Sequence, residues 1–412
     1  MGIYISVMTE LYCPFLWKEL FIENDGYISP CLNSTNKLFD TSITHQSQKV
    51  NIAHTLIHQQ LDGLVEMRKQ MKQGIWPKQC INCQVKESKN LTSPRLKELE
   101  IYSNKSTVEL KHLILRVGNI CNLRCIMCGP WASNQWYNDY VELNNSIEFK
   151  NNQQTYTLDK KSNGDYFIKN SSLNADRWEN VLETILTHSN ELEKISFHGG
   201  EPMVSKLHYK IVAELIKHGK SQNVSLEYFT NFFQIPEQFF NTVNSYKKVI
   251  FNISLDGVGS INDAVRWPSK YLEIENNIHQ MKSKSNVELK IHHTINILNC
   301  EHVVDFIKQY NQFEIDLNFV REPLYSSIKL FDSTDVDLLK THLKSKDNSI
   351  YNQYCISDLI DSTMSIKVND QNKKHHRQLF VKMWDQFSKK QNQNWKELFP
   401  FAYKLYNEWS NN

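Results

Sequence analysis

Six short, mostly apolar runs of this chain alternate with helical patterns. They are Leu113–Val117, Lys194–His198, Val224–Asn231, Val249–Asp256, Val287–Asn296 and Glu314–Val320. Strands alternating with helices predict βα units and an α/β fold with a parallel sheet. In the fourth run Val249, Phe251, Ile253 and Leu255 share one face, and Asn252, Ser254 and Asp256 share the other. The fifth sets Ile291 and Ile295 against His292, Thr294 and Asn296, and the sixth sets Ile315, Leu317 and Phe319 against Asp316 and Asn318. Strands covered by helices on both faces read as continuous apolar runs. These do not, so one face of the sheet must line a polar cavity. By analogy with closed β/α barrels, chemistry belongs at the strand C-termini.

Three features fall at those ends. The first run leads into Cys121-Asn-Leu-Arg-Cys125-Ile-Met-Cys128, the second ends in His198-Gly199-Gly200-Glu201-Pro202, and the fourth closes on Asp256-Gly257. A disulfide would use two of the three loop cysteines and strand the third, whereas three thiolates can converge on one soft metal centre. Zinc wants a fourth ligand, and no cysteine or histidine follows closely behind Cys128. An iron–sulfur cube on three cysteines instead leaves one iron open. Two adjacent glycines let backbone approach a ligand, and a carboxylate beside them can accept bonds from an ammonium group.

The cysteine loop and the Gly-Gly-Glu-Pro turn, in this order, resemble the signature of the radical S-adenosylmethionine (radical SAM) superfamily. The resemblance implies a partial (β/α)6 barrel over 110–325, with a polar insertion at 132–176. It implies a [4Fe-4S] cluster on Cys121, Cys125 and Cys128, whose open iron takes S-adenosylmethionine. Gly199, Gly200 and Glu201 are then expected at the methionyl amino group, and Ser254 at the ribose or carboxylate. Arg266 is expected on the carboxylate, and Asn296 near the sulfonium or adenosyl part. Met127 departs from the aromatic residue many members carry there, which bears only on an adenine contact. The implied activity is reductive cleavage of S-adenosylmethionine to a 5'-deoxyadenosyl radical that takes hydrogen from a substrate C–H. A reducing partner such as a flavodoxin or ferredoxin supplies the electron.

Ahead of the barrel, Cys13, Cys31 and the pair Cys80-Ile-Asn-Cys83 belong together by pattern. Asp25-Gly26 between apolar runs signals a hairpin that places Cys13 and Cys31 near its open ends, and 45–73 reads as largely helical. Residues 1–95 resemble a Twitch half of a SPASM/Twitch domain, which implies a second, auxiliary [4Fe-4S] cluster at the N-terminus. A structural four-cysteine zinc site fits the same spacing. After Pro323, 326–412 reads as a helical extension, with a break expected at Pro400.

A hydrophobic content of 40% supports real cores, and a net charge of +2 argues against a dominant polyanion-binding surface. No apolar stretch reaches the roughly twenty residues needed to span a bilayer, and no signal peptide opens the chain. Cysteines at metal-ligand spacing without such a signal point to a reducing cytoplasm. His198, His292 and His293 read as lining residues, Asp256 as a turn-former, and Cys300 and Cys355 as buried fillers. The substrate expected from the resemblance is a peptide or protein side chain, or a small metabolite. An RNA base is the alternative, although it lacks a basic stripe, and a non-catalytic cluster-binding sensor is another.

Overall fold

Eleven strands carry the described part of the chain, and eight of them form one sheet. The computed structural model describes residues 11–23, 28–32, 34, 61–88, 90, 92–102, 107–151, 154–169, 179–188 and 190–411. The strands are β1 (Glu19–Ile22), β2 (Ile28–Ser29), β3 (His112–Arg116), β4 (Glu148–Asn151), β5 (Gln154–Lys160) and β6 (Tyr166–Ile168). They continue as β7 (Lys194–His198), β8 (Ser225–Thr230), β9 (Val249–Ser254), β10 (Val287–Ile295) and β11 (Glu314–Phe319). All six expected barrel strands are present, within two residues of their expected ends.

The large sheet runs β2-β1-β3-β7-β8-β9-β10-β11. Every neighbouring pair in it is parallel except β1–β2. The period-two reading holds along it. In β9 Val249, Phe251 and Ile253 are buried while Ile250, Asn252 and Ser254 are half-buried. In β8 Leu226, Tyr228 and Thr230 are buried, and Ser225, Glu227 and Phe229 face the other way. The rings of Phe197, Tyr228 and Phe251 stack across three adjacent strands at 5.2 Å each. Each contributes about 1.5–3 kcal/mol by leaving water. On the edge strand β11 Glu314, Asp316 and Asn318 are exposed, because among the described residues β11 pairs with β10 alone.

One departure concerns the N-terminal segment. β1 pairs parallel with β3, with Glu19 beside His112 and Ile22 beside Leu115, so the expected hairpin extends the barrel sheet. The Asp25-Gly26 turn lies outside the described residues, as does most of the expected 45–73 helix, of which Asp62–Lys72 is described.

The insertion after the cysteine loop forms a helix, Tyr137–Asn144, and a separate antiparallel sheet β4-β5-β6 whose last turn passes through Gly164 at φ +95°. In the C-terminal extension the 22-residue helix Asp370–Gln391 packs on the back of the cysteine loop. Phe387 stacks on the buried Trp136 at 5.2 Å, and Gln391 Nε2 donates to the Ala264 carbonyl at 2.9 Å. The break expected at Pro400 is there: Trp395–Leu398 ends at Phe399, and Pro400 opens the next helix. Cys300 is buried as expected, but Cys355 is exposed, because it sits in the left-handed turn between two surface helices.

Candidate cofactor site at the strand C-termini

The cysteine loop leaves β3 and is held from four directions. From the insertion, Asn134 Oδ1 accepts from the Cys121 N–H at 3.0 Å, and Trp136 Nε1 donates to the Cys125 carbonyl at 3.0 Å. From the end of β8, Asn231 Nδ2 donates to Asn122 Oδ1 at 2.8 Å. From the segment after β9, the Arg124 N–H donates to the Trp267 carbonyl at 2.8 Å and the Ile126 N–H to the Val265 carbonyl at 3.0 Å. From the turn after β7, the Glu201 N–H donates to the Ile120 carbonyl at 2.8 Å. Backbone groups buried in a loop need such partners, and here the partners also fix the loop's shape.

That last contact explains the paired glycines. Gly199 and Gly200 both have positive φ, +77° and +49°, which favours glycine. A Cβ on Gly200 would lie 2.2 Å from the Ile120 carbonyl oxygen, and one on Gly199 2.2 Å from Arg116 Cγ. The turn is therefore pressed against the cysteine loop as closely as backbone allows.

Within the loop the three thiols are neighbours. Cys128 holds the Cys125 thiol low against burial, with help from Arg266. Cys125 and burial together raise Cys128. Burial raises Cys121, and the neighbouring Cys125 and Glu201 add to it. Among the described residues no three such side chains sit close enough to hold one metal ion. Three thiols on one loop, with no fourth cysteine or histidine beside them in the sequence, suit a cluster that leaves one iron open, and Cys121, Cys125 and Cys128 are the residues that would hold it.

The other expected contacts are placed as follows. Glu201 is buried, and its carboxylate already accepts from Thr230 Oγ1 at 2.6 Å, the Asn231 N–H at 2.7 Å and the Met203 N–H at 3.0 Å. Burial, against those bonds, pushes it up to about 7. Its side chain ties β7 to β8. Ser254 ends β9, half-buried beside His292 of β10. Arg266 is buried, with Nη1 3.8 Å from Cys125 Sγ and Nε 2.6 Å from Asp256 Oδ2. Burial disfavours its charge, but Asp256, Cys125 and Cys128 more than offset that.

Asn296 does not lie on the polar face of β10. It falls one residue past the strand, fully buried, where its Oδ1 accepts from the Leu298 N–H at 2.9 Å and its own N–H donates to Asn299 Oδ1 at 2.7 Å. It shapes a turn. His198 and His292 flank Phe229 on the polar face, and His293 is buried against Phe306 at 4.0 Å.

The four N-terminal cysteines belong to the opposite end of the sheet. Cys13 precedes the helix Pro14–Lys18 that leads into β1, and Cys31 follows antiparallel β2, so both lie at the N-terminal edge of the parallel strands. Burial raises the Cys13 thiol, and Cys31, Cys80 and Cys83 each add to it, which sets all four within electrostatic reach. Burial likewise pushes Cys80 up to about 12, with Cys83 adding and Arg95 opposing. Arg95 is bound to Glu87 by Nε at 2.9 Å and Nη2 at 2.5 Å, and by Nη1 to the Tyr12 carbonyl at 2.6 Å. Four thiols beside a buried guanidinium fit an anionic four-cysteine metal centre. The five residues of a barrel strand put roughly 17 Å between the two ends.

Between them the sequence missed a buried polar chain. Ser196 Oγ donates to Glu227 Oε2 at 2.5 Å and lies 2.7 Å from His112 Nε2, while His112 Nδ1 lies 2.6 Å from Glu19 Oε2. Burial pushes Glu19 up to about 8 and drives His112 down. All four stand on one face of neighbouring strands, so period-two alternation extended to β1 and β8 is the signal that finds them.

Beside the cysteine loop a cavity of about 580 Å³ opens between Val117–Ile120 and the insertion residues Tyr137, Lys161 and Phe167. It falls within the size range of small-molecule sites.

Residues 115–310 match the family model of the Radical SAM superfamily. That span, just under half of the chain, runs from within β3 to the helix after β10, and the superfamily it is similar to is one of enzymes that use a [4Fe-4S] cluster and S-adenosylmethionine. No curated protein gives a significant match to the chain. Among solved structures it is similar to "Native anSMEcpe with bound AdoMet", with 19% identity, a TM-score of 0.38, and coverage of 59% of this chain and 62% of that one. It is also similar to Streptococcus suis SuiB bound to S-adenosylmethionine, with 14% identity, a TM-score of 0.35, and coverage of 73% of this chain and 60% of that one. The chain thus covers less than two thirds of either. Among the described residues no helix is long and apolar enough to cross a membrane.

Proposed function

We propose that the chain is a radical SAM enzyme acting on a peptide or protein side chain, or on a small metabolite, through the cysteine loop. The observation that carries this is the grouping of Cys121, Cys125 and Cys128 above the C-termini of parallel strands, in a loop braced by the Gly199-Gly200 turn. When bound, the cluster and S-adenosylmethionine supply a 5'-deoxyadenosyl radical, by one-electron cleavage, that takes hydrogen from a substrate C–H. The protein's own residues then have a positioning task. Backbone bonds from Trp267, Val265 and Ile120 hold the loop rigid. Ser254, His292 and Phe229 line the polar face that a substrate and the methionyl group would share. The insertion borders the 580 Å³ cavity next to the loop and is the part we assign to substrate choice.

We assign Cys13, Cys31, Cys80 and Cys83 to a second centre, an auxiliary [4Fe-4S] cluster serving as an electron acceptor or relay. Arg95 beside them supports a centre of net negative charge. A four-cysteine zinc site carries the same net charge and is the second reading.

The test is anaerobic reconstitution with iron and sulfide, followed by dithionite and S-adenosylmethionine. Formation of 5'-deoxyadenosine, lost in Cys125→Ala, is the expected result, and its absence from the fully loaded wild type would refute the enzyme reading. A Cys121/Cys125/Cys128→Ala triple variant that keeps about four irons assigns the remainder to the N-terminal cysteines. One that keeps only zinc makes that site structural.

A further inference from the structure

The insertion leaves one strand edge open beside the cysteine loop. In β5 the backbone alternates between its two neighbours: the Leu158 N–H donates to the Ile147 carbonyl next to β4, and the Thr157 carbonyl accepts from the Lys169 N–H just past β6. At the other end of β6 the Lys161 N–H donates to the Asp165 carbonyl at 2.8 Å. Asp165, Phe167 and Lys169 therefore direct their backbone groups at β5, and Tyr166 and Ile168 turn theirs outward. The Tyr166 N–H bears this out, because it donates to Asn138 Oδ1 at 2.9 Å, on the helix Tyr137–Asn144. The Tyr166 carbonyl and the Ile168 N–H have no hydrogen-bond partner among the described residues. Ile168 is only 8% exposed, and a buried backbone N–H without a partner is rare in folded chains. Residues 165–168 line one side of the 580 Å³ cavity, and residues 117–120, which carry the chain into Cys121, line another.

We infer that this recess takes an extended, acidic peptide segment of the substrate, which adds to the insertion sheet as a fourth strand beside β6. This rests on the reading of the chain as an enzyme acting through the cysteine loop, and it selects a peptide over a small metabolite. The Tyr166 carbonyl and the Ile168 N–H stand two residues apart, roughly 7 Å, and are the acceptor and donor that one residue of an added parallel strand engages. A peptide backbone carries the matching groups at that spacing, and strand addition is a general mode of peptide recognition. Asn138 closes the edge at Tyr166 and so marks where the added strand stops. Edge strands are kept short to prevent sheet-to-sheet pairing, and β6, three residues long in a recess, admits one short segment and no second sheet.

The charges around the recess set the sign of the segment. Arg124 is paired with Asp139 at 2.8 Å, and Asp165 accepts from Asn138 Nδ2 at 3.1 Å and from Asn163 Nδ2 at 2.8 Å. Lys161 has no carboxylate partner among the described residues, and its Nζ lies 5.9 Å from the centre of the Phe167 ring. An acidic side chain on the added strand meets that unpaired cation.

The experiment pans a phage-displayed library of random dodecapeptides against the anaerobically reconstituted full chain and measures the selected peptides by fluorescence anisotropy. The expected binders are rich in Asp and Glu. Each is remade with N-methyl groups on its odd or on its even residues, and only one of the two versions loses affinity, by about tenfold or more, because an added strand turns one set of N–H groups to β6. Ile168→Pro removes the outward donor and leaves the bonds to β5 in place, a change edge strands tolerate, and it weakens binding about fivefold. Lys161→Glu covers the case in which Ile168→Pro disturbs the strand, and it weakens acidic peptides about threefold or more. A library that yields no binder, binders indifferent to both N-methylated versions, or binders unaffected by both substitutions overturn the inference. A chain that binds peptides in this way yet forms no 5'-deoxyadenosine when fully loaded fails the enzyme reading instead, and that product tells the two failures apart.

Discussion

Replacing Gly200 by alanine adds one methyl group at the most crowded point of the site. The added Cβ lies 2.2 Å from the Ile120 carbonyl oxygen and 3.0 Å from Asn119 C, both backbone atoms of the cysteine loop. Ordinary contact begins near 3.4 Å, so the turn and the loop must separate by more than 1 Å. The left-handed φ of +49° costs an alanine about 1 kcal/mol on its own. Separation also breaks the 2.8 Å bond from the Glu201 N–H to Ile120, worth about 1 kcal/mol, and strains the loop by a similar amount. The total is about 3 kcal/mol. Gly219 is the matched control, because its φ is +65° and nothing lies within 4 Å of its Cβ position, so Gly219→Ala isolates the conformational part, about 1 kcal/mol. Urea unfolding of the two metal-free variants should differ by about 2 kcal/mol. Gly200→Ala should also lose iron on reconstitution. Equal destabilisation of the two variants, with iron content unchanged in Gly200→Ala, would refute the claim that this turn and the cysteine loop support each other.

Other outcomes follow from individual contacts. Glu201 has a folded-state value of about 7 against an ordinary 4.5, so the native state holds more protons between those values. Wild type therefore loses stability relative to Glu201→Gln as pH rises from 4.5 to 7, by a few kcal/mol in urea titrations. His208 is buried among Phe197, Tyr228 and Phe239 with its value driven by burial to about 3, so the unfolded chain takes up the extra proton below 6.5. Its contribution is complete above pH 6.5 and is lost as pH falls toward 3, a slope that His208→Gln should flatten. Trp136→Phe removes the Nε1 donor to the Cys125 carbonyl, costing about 1–3 kcal/mol for the orphaned acceptor. Its iron should leave to a chelator faster than wild-type iron does.

What the sequence revealed and what it hid divide along a physical line. Alternation along a strand is a local property, so the polar face of β9 was legible, as was the break at Pro400. Cysteine spacing is local too, and it marked both thiol groups. Cross-chain pairing is not local. Nothing in Glu19–Ile22 says that the strand will lie beside His112–Leu115, and only that pairing reveals Glu19 as part of a chain with His112, Ser196 and Glu227. Asp256 read as a turn-former because its neighbour is Gly257, while its partner Arg266 lies across a helix. Asn296 shows the reverse error: extrapolating the alternation one residue too far put a turn-former on the cavity wall.

The two thiol groups lie at opposite ends of the same strands, and this limits how they can work together. The Cys121 loop lies beyond the C-terminal ends of the strands, and Cys13 and Cys31 lie at their N-terminal edge. The strand-length gap holds Glu19, His112, Ser196 and Glu227 at its floor, and His198, Phe229 and His292 higher up. Burying so many polar groups costs stability unless they are bonded to one another; His112, Ser196 and Glu227 are, while Glu19 Oε1 and His112 Nδ1 have no hydrogen-bond partner among the described residues. A hydrophobic filling would be cheaper to fold, so the polar face is retained at a cost in stability. A substrate lying there would touch neither group of thiols directly. It would face the upper loop with one end and the bonded floor with the other, and side chains of the floor, above all the half-buried Glu227, would set which chemical groups it can present.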